Sequence, residues 1–438
     1  MSSSEIRGVS ALRVWDSRGR PTVEARVELA DGSTGRAIAP AGASTGSGEA
    51  LDLRDGGGTL GGYDVGRALA NIRGEIAAAL RGIDAAEQGA VDALLCRLDG
   101  SEDKRRLGAN ATVAVSMACA HAAARSRGEP LWRYLAGDNE PLLPLPEIQI
   151  FGGGAHAGRR VDIQDFMVIA VGAADYTQAL EWTAEVYIAA GILMAEAGRL
   201  AGVADEGGYW PAFDGNEDAL GFLMRAIERA GLKPGDDVAI SLDIAASEFY
   251  RNGRYRLARD NAERDADGMI EMLLGWVERY PIVSIEDPLA EDDEAGLIAF
   301  TRAVGEQVQV VGDDYLVTNA RRVLAGAARG ACNAVLVKPN QAGTLTETHA
   351  ALEASRDAGW GAIVSARSGE SEDVTIVHLA VGWEAKQLKV GSFSRSERMA
   401  KWNEGLRIAR ALGGRGALPP RSAFPWGTHG NTKRRQRS

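Results

Sequence analysis

The sequence predicts an α/β protein: a (β/α) barrel with its chemistry on one rim, preceded by a separate α+β domain. Three observations carry this reading. From residue 281 a short, mostly apolar run leads into Glu286 and Asp287, with Pro288 to stop it. A run that short, bounded by proline, reads as a buried parallel strand. The same layout recurs, with 238–243 ending on Asp243, 307–313 on Asp313 and 334–338 on Lys338. Between these runs, segments such as 267–279 and 320–328 show the apolar spacing of helices. Strand, charged end and helix in repetition is a barrel with its reactive groups at the C-terminal ends of the strands. Three acids converging there suit a hard cation, and the lysine on the next strand is available as a base.

The N-terminal part, 5–137, follows a different pattern. Residues 6–15 and 22–28 alternate as strands do, and 16–21 (Asp-Ser-Arg-Gly-Arg-Pro) is turn chemistry between them. Residues 39–48 are nearly all small, as in a surface connection or a mobile lid. Helices are predicted over 65–81 and 84–98, with an Ala-rich buried helix over 108–127. The linker is placed at 136–146, where three prolines fall close together. The domain limits are therefore set at 1–137 and 138–418. Residues 419–438, proline-rich and then basic at Lys433, Arg434, Arg435 and Arg437, read as a solvated tail.

Composition narrows the function classes. A 438-residue chain that is 45% hydrophobic and 25% charged is long enough for about two domains with large cores. No apolar run reaches the ~18 residues of a membrane span, and the first residues lack a signal-peptide profile, so a cytoplasmic location is expected. Three scattered cysteines suit free thiols. A net charge of −11 argues against nucleic acid and anionic membranes as partners.

Beyond these patterns, long motifs resemble the enolases from residue 5 to about 415. They include 16–24 (Asp-Ser-Arg-Gly-Arg-Pro-Thr-Val-Glu), 42–46 (Gly-Ala-Ser-Thr-Gly), 107–111 (Leu-Gly-Ala-Asn-Ala) and 205–208 (Asp-Glu-Gly-Gly). Further matches are 242–250, 283–288, 312–314, 338–345 (Lys-Pro-Asn-Gln-Ala-Gly-Thr-Leu) and 395–401 (Arg-Ser-Glu-Arg-Met-Ala-Lys). The resemblance implies a modified (β/α)8 TIM-type barrel with an N-terminal α+β capping domain, assembled as homodimers or homo-octamers. It implies two Mg²⁺ per active site and a small anionic phosphorus-containing substrate. Asp243, Glu286 and Asp313 would hold the first ion, and Ser44 would help with the second. Lys338 would take the α-proton, with the two divalent ions and a second cation, Lys389, favouring its neutral form. Glu206 would protonate the departing hydroxyl. His156, Asp165, Arg367, Ser368 and Lys389 would contact the substrate; Arg367 suits an oxyanion because its planar fork binds two oxygens at once.

The sequence also departs from the family inside these motifs. The Ser-His-Arg-Ser phosphate contact reads Ser365-Ala366-Arg367-Ser368 here, and Gln-Glu-Phe reads Gln164-Asp165-Phe166. Ala204 replaces a glycine, and the loop before His156 is altered and followed by Arg159-Arg160. Losing the imidazole opens room beside the phosphorus, and Arg159 or Arg160 could return positive charge there. These changes are similar to what the carboxyphosphonoenolpyruvate-forming branch of the family, in phosphinate biosynthesis, would need. The expected function is thus an enolase-type lyase acting on a modified phosphoglycerate. The alternatives are ordinary conversion of 2-phosphoglycerate to phosphoenolpyruvate and a non-catalytic enolase-like binding protein.

Overall fold

The computed structural model describes residues 4–43, 46–414 and 416–428. Three strands, β1 (Ile6–Trp15), β2 (Pro21–Leu29) and β3 (Thr34–Ile38), form an antiparallel meander in the N-terminal domain. Helices at Gln88–Asp99 and Ala109–Ser126 complete the domain, with a third that runs from Gly66 to Leu80 and widens to a π turn at Ile72–Ile76. The Ala-rich helix Ala109–Ser126 is buried along almost its whole length and lies directly on β3. Small residues make this possible. At Gly35 a Cβ would sit 2.0 Å from the Ala118 carbonyl oxygen, so no larger residue fits.

The second half is a closed barrel of eight strands. They are β4 (Leu145–Gly152), β5 (Asp165–Ile169), β6 (Ala239–Asp243) and, after a small sheet, β10 to β14. The small sheet is β7 (Tyr250–Arg251), β8 (Arg254–Leu257) and β9 (Ala262–Arg264). The remaining barrel strands are β10 (Ile282–Glu286), β11 (Gln309–Gly312), β12 (Ala334–Val337), β13 (Gly361–Ser365) and β14 (Gln387–Ser392). Only β5 is reversed, running antiparallel to both β4 and β6. The predicted strands and the helices at Ala266–Arg279 and Ala320–Arg329 are all present.

The barrel interior carries a polar layer. Ser284 donates to Gln309 at 3.2 Å, Gln309 donates to Gln387 at 2.8 Å, and Ser241 donates to Glu147. Buried polar groups persist when they are paired in this way. The apolar cores lie outside this layer, between strands and helices and beneath the Ala-rich helix.

The reading missed the β7–β9 sheet, whose strands are two to four residues long and rich in arginine. It braces the segment beyond Glu286, because buried Tyr255 donates to Asp293 at 2.7 Å and accepts from the Ala290 amide at 3.1 Å. The boundary at residue 418 also needs correction. Phe424 and Trp426 are buried against Leu145 and Ile169, which carries the folded body past that point. The basic residues 433–437 and Ser44 lie outside the described residues. No helix among the described residues is long and apolar enough to cross a membrane.

Candidate active site

Register brings the predicted residues to one rim. Glu286 pairs with Asp243, and Asp243 pairs with Asp165. Because β5 runs the other way, its first residue, not its last, lies level with the ends of β6 and β10. Ser365 and Lys389 are level on β13 and β14. Lys338 directly follows β12, and Asp313 directly follows β11.

The acids are spaced by ammonium groups. Lys389 Nζ lies 2.7 Å from Glu286, 3.0 Å from Asp243 and 3.5 Å from Asp165. Lys338 Nζ lies 2.5 Å from Asp313 Oδ2. Gln341 donates to the other Asp313 oxygen at 2.8 Å. Asp243, Glu286 and Asp313, expected as one trio of ligands, stand at neighbouring strand ends and meet two different ammonium groups. Asp313 clusters with Asp287 and Asp314, their ligand oxygens all within 4.8 Å of one another, while Asp243 and Glu286 share Lys389. Asp287 accepts from the amides of Asp313 and Asp314, at 2.9 Å each, and so holds the turn beyond β11.

Charge is crowded here. Burial, then repulsion from Asp243, raises Glu286 well above the usual carboxylate range. Burial and Asp313 push Asp287 up to about 8; burial and Asp287 push Asp314 to about 9. Lys338 was expected to favour its neutral form. Burial, Arg367 and Lys389 do act in that direction, but Asp313 and Glu286 together outweigh them and hold the ammonium above its ordinary value.

The opposite wall is built from Glu206, His156 and Asp165. His156 Nδ1 lies 3.1 Å from Asp165 and its Nε2 3.8 Å from Glu206. Burial pulls the imidazole down, yet Glu206 and Asp165 raise it to about 9, so it is a cation at neutral pH. Gln149 donates to Asp165 and accepts from the Gly208 amide at 2.9 Å, tying β4 to the loop that carries Glu206.

Arg367, Ser368 and Ala366 follow β13. Arg367 is buried and paired with Glu49 of the N-terminal domain at 2.8 Å. A Cβ on Gly42 would sit 1.8 Å from Arg367 Nη2, so any larger residue would push the guanidinium aside. Arg18, which sequence reasoning did not single out, donates to Ser368 Oγ at 3.2 Å and to the carbonyls of Ala41 and Gly42. Its signal was the charged turn at 16–20. Arg159 does not supply the missing positive charge: it is 65% exposed and pairs with Glu248 at 2.7 Å. Neither Arg159 nor Arg160 lines the cleft, whereas Lys338, Glu206, His156, Ala366, Arg367 and Lys389 all do. The donor set around Asp313 and Glu286 is hard carboxylate oxygen, buried and under mutual repulsion, which fits a small divalent cation.

The enolase N-terminal domain model matches residues 6–135, and the enolase C-terminal TIM barrel domain model matches 140–423. The chain is 46% identical to Enolase 1 of Desulfitobacterium hafniense (strain Y51) over 427 residues, covering 97% of this chain and 98% of that one. Fold and site together thus define a class, the carbon–oxygen lyases built on a capped barrel. Within that class the chain belongs to the enolase family. It is a hydro-lyase of the phosphopyruvate hydratase type, which leaves the non-catalytic alternative without support.

Proposed function

We propose that the chain dehydrates 2-phosphoglycerate to phosphoenolpyruvate, with Lys338 as base and Glu206 as acid. The observation that carries this is that both side chains open into one cleft, with Arg367 and Ser368 on its wall. Lys338 takes the proton from the carbon beside the carboxylate. The bond to the β-hydroxyl then breaks, the double bond forms between the two carbons, and Glu206 supplies the proton that lets the hydroxyl leave as water. Arg367 and Ser368 grip the phosphoryl oxygens. Asp243, Glu286 and Asp313 would hold Mg²⁺, with Ser44 contributing to a second ion. Such an ion supplies positive charge for the substrate carboxylate and for the enediolate that follows proton loss. Lys338 becomes a competent base only when the Asp313 charge opposite it is taken up by something other than its own ammonium. A homodimer or homo-octamer goes with this reading, and light scattering tests it.

One feature favours a second reading, a substrate with an added acidic group on phosphorus that yields carboxyphosphonoenolpyruvate. Ala366 lines the cleft where the family motif carries an imidazole. The comparisons support the enolase-type reaction and give no support to this specialised form. Purified protein assayed with 2-phosphoglycerate and Mg²⁺, following the absorbance of the enol product, separates the two. Turnover at ordinary enolase rates, abolished by a chelator, establishes the first reading and excludes the second. Negligible turnover that Ala366→His restores would reverse the order.

A further inference from the structure

The motif at 395–401 has no part in the chemistry above, yet it lies beneath both walls of the cleft. Arg398 is completely buried, at 0% exposure. Its Nη1 donates to the carbonyls of Arg367 at 2.7 Å and Val390 at 2.8 Å, and its Nη2 donates to the carbonyl of Ser368 at 2.5 Å. The same Nη1 is 3.9 Å from the Glu206 carboxylate. Gly391, at φ +110°, leaves room for this approach: a Cβ there would sit 3.1 Å from both Arg398 Cδ and Glu206 Cβ. The flanking residues do similar work. Ser394 donates to the Gly207 carbonyl at 2.7 Å, and Arg395 donates to the Ala204 carbonyl at 3.1 Å. Lys401 pairs with Glu370 at 2.9 Å, and Glu370 in turn accepts from the Arg367 amide at 3.0 Å.

We propose that Arg398 is a positioning residue that sets the spacing between the phosphoryl-gripping backbone at 367–368 and the acid Glu206. A planar guanidinium with five donors can hold several carbonyls at fixed directions while facing a carboxylate; an ammonium cannot. A buried arginine serving only the core would need partners but not ones divided between two walls of a cleft. This inference rests on the reading of Arg367, Ser368 and Glu206 given above.

The test is Arg398→Lys in the full chain. It measures kcat and KM with 2-phosphoglycerate, inorganic phosphate binding by calorimetry, and the thermal midpoint. The expected result is a rise in KM of about tenfold or more and weaker phosphate binding by a similar factor, the size of losing one charged hydrogen bond, with kcat reduced as well. A lowered midpoint with KM, kcat and phosphate affinity all within about twofold of the parent would make Arg398 merely structural and overturn the inference. Glu397→Gln is the second variant, for use if the lysine variant does not fold, because Glu397 lies 3.5 Å from Arg398 Nε. Here a raised KM supports the inference and an unchanged one overturns it. If the parent binds phosphate but leaves 2-phosphoglycerate untouched, the proposed substrate fails and phosphate affinity alone decides on Arg398. Failure of the parent to bind phosphate overturns both.

Discussion

Lys338 and Glu206 divide the reaction into two proton transfers that substitutions can separate. Lys338→Ala is expected to lower kcat by about 10³-fold, in the range for loss of a general base. It should also stop exchange of the substrate α-proton with deuterated solvent. Glu206→Gln is expected to lower water elimination to a similar degree while exchange continues, because Lys338 remains. Mass spectrometry of recovered substrate checks both. The contacts of these two residues were legible to different extents. Asp243, Glu286, Asp313 and Lys338 stood out because each ends an apolar run, so sequence position alone put them on one rim, whereas Glu206 and Lys389 were reached only through the resemblance to the enolases. That Asp313 neutralises Lys338 was not legible, since it depends on how far each side chain reaches across adjacent strands. Arg18 was missed for the same reason: it meets Ser368 from a turn 350 positions away.

At the level of elements, the strands were readable because both faces are buried, giving continuous apolar runs in place of alternation. The reversal of β5 was not, because nothing in an apolar run states its direction. The junction of three helices makes a separate expectation possible. His378, on Thr375–Gly382, faces Glu404 of Ser396–Ala411 at 3.5 Å and sits edge-on to His121 of Ala109–Ser126, with Asp373 nearby. Burial first, then His121, depresses His378 to about 4. The folded state therefore binds fewer protons than the unfolded one, whose imidazole titrates near ~6.5. Its contribution is fully present above that pH and is lost as pH falls toward about 4. Thermal melts should show the midpoint of His378→Gln falling less steeply than that of the parent between these limits.

Across the whole molecule, the N-terminal domain reaches into the barrel through Glu49. This carboxylate pairs with Arg367, accepts from the Gly46 amide at 3.0 Å and accepts from Gln341 at 3.2 Å, and Gln341 in turn binds Asp313. Breaking a buried pair from one side leaves a charge unmatched, at a cost of about 3–5 kcal/mol. Glu49→Gln is thus expected to lower the thermal midpoint. It should also enlarge the upward shift that inorganic phosphate produces, because the freed Arg367 gains more from an anion. A shift no larger than the parent's would show that Glu49 does not compete for that guanidinium. Gly42→Ala should raise KM for 2-phosphoglycerate, because its methyl group would collide with Arg367.

The Glu49–Arg367 contact makes the reactive centre a seam between two bodies that each have their own sheet. The barrel carries Arg367 and Ser368, and the N-terminal body supplies the carboxylate that occupies the guanidinium. Supplied as two separate polypeptides, the halves would therefore report their own docking, since adding the N-terminal half would return Glu49 to Arg367 and loosen the barrel's hold on phosphate.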